Sequence, residues 1–168
     1  PALLVDADLR NPTLHTLLGV DNSRGLSNYL SGDLPALGVV RVTAIPNLYV
    51  IPAGPQPPNP VELLSGPKLP GLLAELDKRF AAIILDAPPV LGLADALVLG
   101  NQVGAVMFVV ASGSTRKSNM RAALKRLRQA SVTPIGAVMT KLKMRDHMYG
   151  YEASYYQYAS TNDAPKLT

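Results

Sequence analysis

The 168 residues are 48% apolar and 17% charged, contain no Cys and no Trp, and carry 16 Lys plus Arg against 12 Asp plus Glu. That size and apolar content fit one globular domain and exclude a disordered chain, and the lack of cysteine excludes disulfide scaffolds, thiolate metal sites and cysteine nucleophiles. The longest apolar runs, Ala81 to Leu85 and Ala105 to Ala111, fall far below the roughly 18 residues of a membrane-spanning helix, and the net charge of +4 is too small by itself to argue for nucleic acid or a membrane surface.

Along the chain, Pro1-Ala-Leu-Leu-Val-Asp6 reads as the end of a buried strand already under way, so the 168 residues are expected to be a piece of a longer protein. Short runs rich in Val, Ile and Leu follow at Leu3–Val5, Leu48–Ile51, Ala82–Leu85, Val106–Val110 and Ile135–Met139. Continuous rather than alternating apolar runs predict strands buried on both faces. Helical patterns lie between them at Thr13–Leu18, Leu26–Leu30, Leu69–Phe80, Ala94–Asn101 and Thr115–Ala130, the last placing Met120, Ala123, Leu124 and Leu127 on one face. Strands alternating with helices predict an α/β doubly wound, parallel sheet covered on both sides. The stretch Pro52–Pro70 holds seven of the 15 prolines and is expected to be mostly loop, either a stiff connector or a loop beside an active site. Between Thr115 and Arg145 lie nine basic residues and no acidic one. They read as a solvated face or as a surface for an acidic partner or anionic lipid, and without interleaved aromatics they do not argue for nucleic acid. Residues 149–158 form a biased tail holding five of the seven tyrosines.

Ligands of open parallel sheets collect beyond the carboxyl ends of strands. Two acidic motifs stand at such ends: Leu3-Leu-Val-Asp6-Ala-Asp8-Leu-Arg10 and Ile83-Ile-Leu-Asp86-Ala-Pro88-Pro89. Taken singly, either Asp reads as a cap of the next helix. Taken together, they supply the hard oxygen ligands that a magnesium ion wants at an ATPase site. Arg10 reads either as a helix-start residue paired with a nearby Asp or as a cation close to phosphate. No Gly-x-x-x-x-Gly-Lys-Ser/Thr phosphate loop occurs in the 168 residues, so the chain contains the magnesium half of a phosphoryl-transfer site without the phosphate half.

Asp6-Ala-Asp8-Leu-Arg10-Asn-Pro12 resembles the Walker A′ motif, and Ile83-Ile-Leu-Asp86-Ala-Pro-Pro89 the Walker B motif, of the bacterial tyrosine kinases of exopolysaccharide and capsule synthesis and export. Gly25-Leu-Ser-Asn-Tyr-Leu-Ser-Gly32, Leu48-Tyr-Val-Ile-Pro-Ala-Gly54, Pro58-Asn-Pro-Val-Glu-Leu-Leu-Ser65, Val90-Leu-Gly-Leu-Ala-Asp-Ala-Leu97 and the tyrosine tail are similar to stretches of that family, in family order. The resemblance covers nearly the whole chain. It implies a P-loop NTPase-like, three-layer α/β sandwich of the deviant-Walker, partitioning-ATPase-related kind, with a kinase domain over 1–145 and a tyrosine-rich tail over 146–168. It also implies transfer of the γ-phosphate of ATP, with Mg2+, to Tyr149, Tyr151, Tyr155, Tyr156 and Tyr158 of a neighbouring copy. By position, Asp6, Asp8 and Asp86 are the metal and catalytic carboxylates, one of the first two also serving as base for the tyrosine hydroxyl. Arg10, Thr140 and Lys141 fall near the nucleotide, although the family typically has Asn where Thr140 stands. The implied partners are copies of the chain and a membrane-anchored polysaccharide co-polymerase or activator, fused or separate, with no nucleic acid; the implied location is the cytoplasmic face of the cell membrane. The segment carrying the phosphate loop and its strand precedes the A′ strand in that family. The 168 residues alone are therefore expected to be inactive, and to show unpaired strand edges where an interior strand is missing. A non-catalytic scaffold and a partitioning-type ATPase remain the alternative readings.

Overall fold

The computed structural model describes residues 1–32 and 34–142. The predicted boundary at 145, the tail 146–168 and its five tyrosines lie outside the described residues.

The first apolar run becomes β1 (Ala2–Asp6), which ends on its acid. It lies between β3 (Leu48–Ile51) and β4 (Ala82–Asp86), parallel to both. A two-residue strand, β2 (Arg41–Val42), pairs antiparallel with β3, so the sheet runs β2-β3-β1-β4. The fold is the mostly parallel α/β type that the alternation of strands and helices predicts. The short β2 and the 3-10 turn at Ala36–Val39 that precedes it carry too little periodicity to be foreseen.

The core collects around β1. Leu3 and Val5, Ile51 of β3, and Leu26 and Leu30 of α2 (Leu26–Ser31) are all buried in one cluster. Leu69, Leu72 and Leu76 of α4 (Lys68–Leu76) join it as a stripe at spacings of three and four, each fully buried; each such leucine contributes about 1.5–3 kcal/mol. Gly25 lets α2 approach the loop after β3. A Cβ there would stand 2.1 Å from the Pro52 carbonyl oxygen, and that closeness allows Leu26 N–H to donate to Pro52 and Ser27 N–H to Ala53.

The proline-rich stretch is more ordered than its composition predicts. It contains α3 (Pro60–Ser65), which begins on Pro60, and α4 begins before Pro70. Proline in a first helical turn forfeits no intrahelical hydrogen bond, and its φ is already helical.

The larger departure is in the sheet. Instead of one sheet covered on both sides, β5 (Met107–Ala111) and β6 (Gly136–Thr140) pair in parallel as a second, two-stranded sheet. The continuous apolar runs predict strands buried on both faces, yet Ile84 of β4 is 54% exposed and Val109 of β5 60% exposed. The exposed residues alternate along β4, so one of its faces lacks a covering layer; among the described residues β4 also has a ladder partner only in β1, and β5 only in β6. An open cavity of about 310 Å3, lined by Leu73 of α4 and Asp77 just past its end, Ile83 of β4, and Gln102 and Gly104 on the approach to β5, lies beside this break. The second half is tied to the first through α5 (Asp95–Gly100). Leu99 enters the core cluster, and Gln102 Nε2, just past this helix, donates to the Leu64 carbonyl at 2.7 Å. On α6 (Lys117–Gln129), Ala123 and Leu127 are buried and Arg121, Lys125 and Arg128 are exposed, as the spacing predicts.

The contrast between the two kinds of strand sets a test. Leu3→Ala, at a fully buried site, should cost about 2–5 kcal/mol in urea unfolding, whereas Ile84→Ser on the open strand should cost at most about 1 kcal/mol. Equal losses would show that β4 is packed on both faces.

Candidate active site

The site is built from strand ends. Pairing of β1 with β4 sets Asp6 directly beside Asp86, and one further bond, from Ala7 N–H to the Asp86 carbonyl at 2.9 Å, extends the pairing past the acids. Two carboxylates thus leave adjacent parallel strands at the same level, where an open sheet binds its ligand.

The three predicted acids have different surroundings. Asp6 is fully buried. Its Oδ2 accepts the backbone N–H groups of Thr13 at 3.1 Å and Leu14 at 3.0 Å, so it satisfies the start of α1 (Leu14–Leu18) from seven residues upstream. Its Oδ1 is buried with no hydrogen-bond partner among the described residues. Asp8 is half-buried, and its Oδ1 accepts from the N–H groups of Arg10 at 3.2 Å and Asn11 at 3.0 Å, folding the loop into a tight turn. Asp86 reaches solvent at the end of β4.

Burial pushes the Asp6 carboxyl above its ordinary 3.8, opposed by the Leu14 N–H and reinforced by the charge of Asp86. Loss of water around Asp86 raises it too, with the charge of Asp8 adding to the effect. Among the described residues no three carboxylate or imidazole groups converge as a ready-made metal cage. The predicted metal set of Asp6, Asp8 and Asp86 is therefore not assembled as three direct ligands. The donor chemistry still suits magnesium, which keeps several waters and takes one or two carboxylates together with phosphate oxygens. The orphaned Asp6 Oδ1 is the atom that such a cation, or one of its waters, would satisfy.

Arg10 resolves its two sequence readings in an unforeseen way. Its Nε donates to Asp95 Oδ1 at 3.1 Å and its Nη2 to Oδ2 at 3.5 Å. The partner is a fully buried acid at the start of α5, not a neighbour in the sequence. Asp95 escaped the sequence reading because a lone acid opening a helix passes for a dipole or capping residue; its one signal was an acid set inside the apolar run Val90–Leu97. Thr140 closes β6 in the second sheet, and Lys141 follows with φ of 56°. Among the described residues neither side chain bonds to the acids of the first sheet.

Asp6 makes separable predictions. Asp6→Ala removes the acceptor of two N–H groups and should cost about 1–2 kcal/mol, while Asp6→Asn keeps an acceptor oxygen and removes the buried charge, so its stability should match or exceed the parent at neutral pH. A carboxyl raised by folding stabilises the fold only while protonated. The parent should therefore lose stability relative to Asp6→Asn as pH rises from 3.8 through the raised value. Urea melts of the two proteins across pH check this, and a difference that shrinks with rising pH would contradict it.

No family model matches the chain. Individual proteins do. It is 37% identical over 150 residues to the tyrosine-protein kinase YwqD of Bacillus subtilis, an alignment that takes in 89% of this chain and 63% of YwqD; the chain thus spans less than two thirds of that relative. The VpsO kinase domain superposes with a TM-score of 0.79 at 32% identity, over 84% of this chain and 70% of that one. The septum site-determining protein MinD of Pyrococcus horikoshii, solved with Mg-ADP, superposes with a TM-score of 0.64 at 25% identity, over 82% of this chain and 56% of MinD. With motifs, fold and relatives in agreement, the chain belongs to the bacterial tyrosine kinases.

Proposed function

We propose that this chain is the larger part of an ATP-dependent protein-tyrosine kinase domain serving exopolysaccharide or capsule production. The observation that carries the reading is the in-register pair Asp6–Asp86 with its unpartnered buried oxygen. Asp6 Oδ2 caps the start of α1, and the buried Oδ1 is left for a cation or one of its waters. MinD, of similar fold, was solved with Mg-ADP, which supports the use of nucleotide and magnesium here.

In this reading Asp6 and Asp86 hold the magnesium ion, directly or through its waters. The bound ion supplies charge neutralisation for phosphate oxygens. Asp8 is more accessible than Asp6: it is half-buried where Asp6 is fully buried, and its Oδ2 makes no hydrogen bond among the described residues. In this reading Asp8, of the Asp6 and Asp8 pair, takes the proton from a tyrosine hydroxyl as that oxygen attacks the γ-phosphorus and ADP departs. No phosphate-binding loop motif occurs in the 168 residues, so the carboxylates are the only part of the phosphoryl-transfer site assigned to them. Tyr149, Tyr151, Tyr155, Tyr156 and Tyr158 are the proposed acceptors, in trans on a neighbouring copy. Each phosphate would add about −1.5 to −2 charges to a segment that follows Lys141, Lys143 and Arg145. The proposed setting is the inner face of the cell membrane, beside a membrane-anchored co-polymerase or activator; among the described residues no helix is long and apolar enough to cross a membrane.

The test is tyrosine phosphorylation of the full-length protein. Asp86→Asn should lower it by about 10²-fold or more with an unchanged thermal melt, and changing all five tail tyrosines to Phe should remove most of the incorporated phosphate. Phosphorylation that survives Asp86→Asn, in a protein that melts normally, would favour the scaffold instead.

A further inference from the structure

Arg10 belongs to the first acidic motif and Asp95 to neither, and their contact joins the two sides of the site. Arg10 stands two residues beyond Asp8, on the loop leaving β1. Asp95 opens α5, at the end of the loop leaving β4 after Asp86. The contact brings together residues 85 apart in sequence.

The geometry is specific to a guanidinium. Asp95 is 1% exposed and meets the Nε and Nη2 edge of the fork with its two oxygens, which leaves Nη1 without a hydrogen bond among the described residues. The Arg10 side chain is 32% exposed, in contrast to its buried partner. A guanidinium held on one edge and open on another is preorganised to meet an anion, because the rotamer freedom that it would lose on binding is already spent. A lysine at this place would satisfy neither demand with fixed geometry.

We infer, resting on the kinase reading above, that Asp95 is a positioning residue for phosphoryl transfer: by gripping Nε and Nη2 of Arg10 it presents Nη1 to the oxygens of the transferred phosphate. Asp95 itself touches no substrate. Its effect passes wholly through Arg10, and that separates it from an acid that merely staples α5 to the β1 loop.

The test uses the full-length protein and three variants, Asp95→Asn, Arg10→Lys and the double substitution. Asp95→Asn and Arg10→Lys should each lower kcat for tyrosine phosphorylation by about 10- to 100-fold, with KM for Mg-ATP moving less than about threefold. The double variant should be no slower than the slower single variant, since both changes abolish one function. In 15N spectra the Arg10 Nε–H should exchange slowly with solvent in the wild type and rapidly in Asp95→Asn. Arg10→Lys retains the charge that balances the buried acid, so it decides the matter if Asp95→Asn melts below the assay temperature. Wild-type kcat in either single variant, losses that multiply in the double variant, or an Arg10 Nε–H that exchanges equally in both proteins would overturn the inference. A wild-type protein that transfers no phosphate to tyrosine would sink the kinase reading and the inference with it; an active wild type with an indifferent Asp95→Asn sinks the inference alone.

Discussion

Placing two acids side by side at the ends of neighbouring strands, one of them fully buried, costs free energy, and the rest of the site is arranged around that cost. The β1–β4 register allows no other placement, because a shift by one residue would exchange the faces of every side chain on the strand, Leu3 and Val5 included. The fully buried core of β1 therefore holds Asp6 where its charge is poorly solvated and faces that of Asp86. Part of the cost is offset locally by the two N–H groups at the start of α1. The rest stands at Asp6 Oδ1, which has no partner among the described residues, and a cation arriving there would relieve it.

The loops beyond the strands hold the remaining groups in place with few contacts. Asp8 folds its own turn by accepting two N–H groups, and Arg10, carried by that turn, reaches the buried Asp95 across the crevice. Because α5 also packs Leu99 into the core, the Arg10 contact is anchored to the body of the fold rather than to a free loop. Removing one member of such a pair leaves a buried charge without its counter-ion, so the position of the guanidinium and the stability of α5 are coupled.

Much of this was legible in the sequence, and the misses share a physical origin. β1, β3 and β4 and the helices α2 and α4 follow from apolar period and turn residues, because their burial is set by their own side chains. The Asp6 and Asp86 pairing was legible as two motifs at strand ends. The burial predicted for both faces of β4 and β5 failed, because strand burial depends on neighbouring layers that periodicity does not encode. Asp95 was missed because its partner lies 85 residues away, a separation that no local pattern reports. The helix beginning at Pro60 was missed because proline content outweighed the positional rule that favours proline at a first turn.

The central claim, that Asp6 holds a buried charge awaiting a cation, is tested most directly by the carboxyl 13C resonance of Asp6 followed through a pH titration of the full-length protein, without ligand and then with Mg-ADP. The account predicts an Asp6 midpoint above the ordinary 3.8 in the free protein and a fall of that midpoint when magnesium and nucleotide bind. An Asp6 that titrates at its ordinary value and does not respond to Mg-ADP would contradict it.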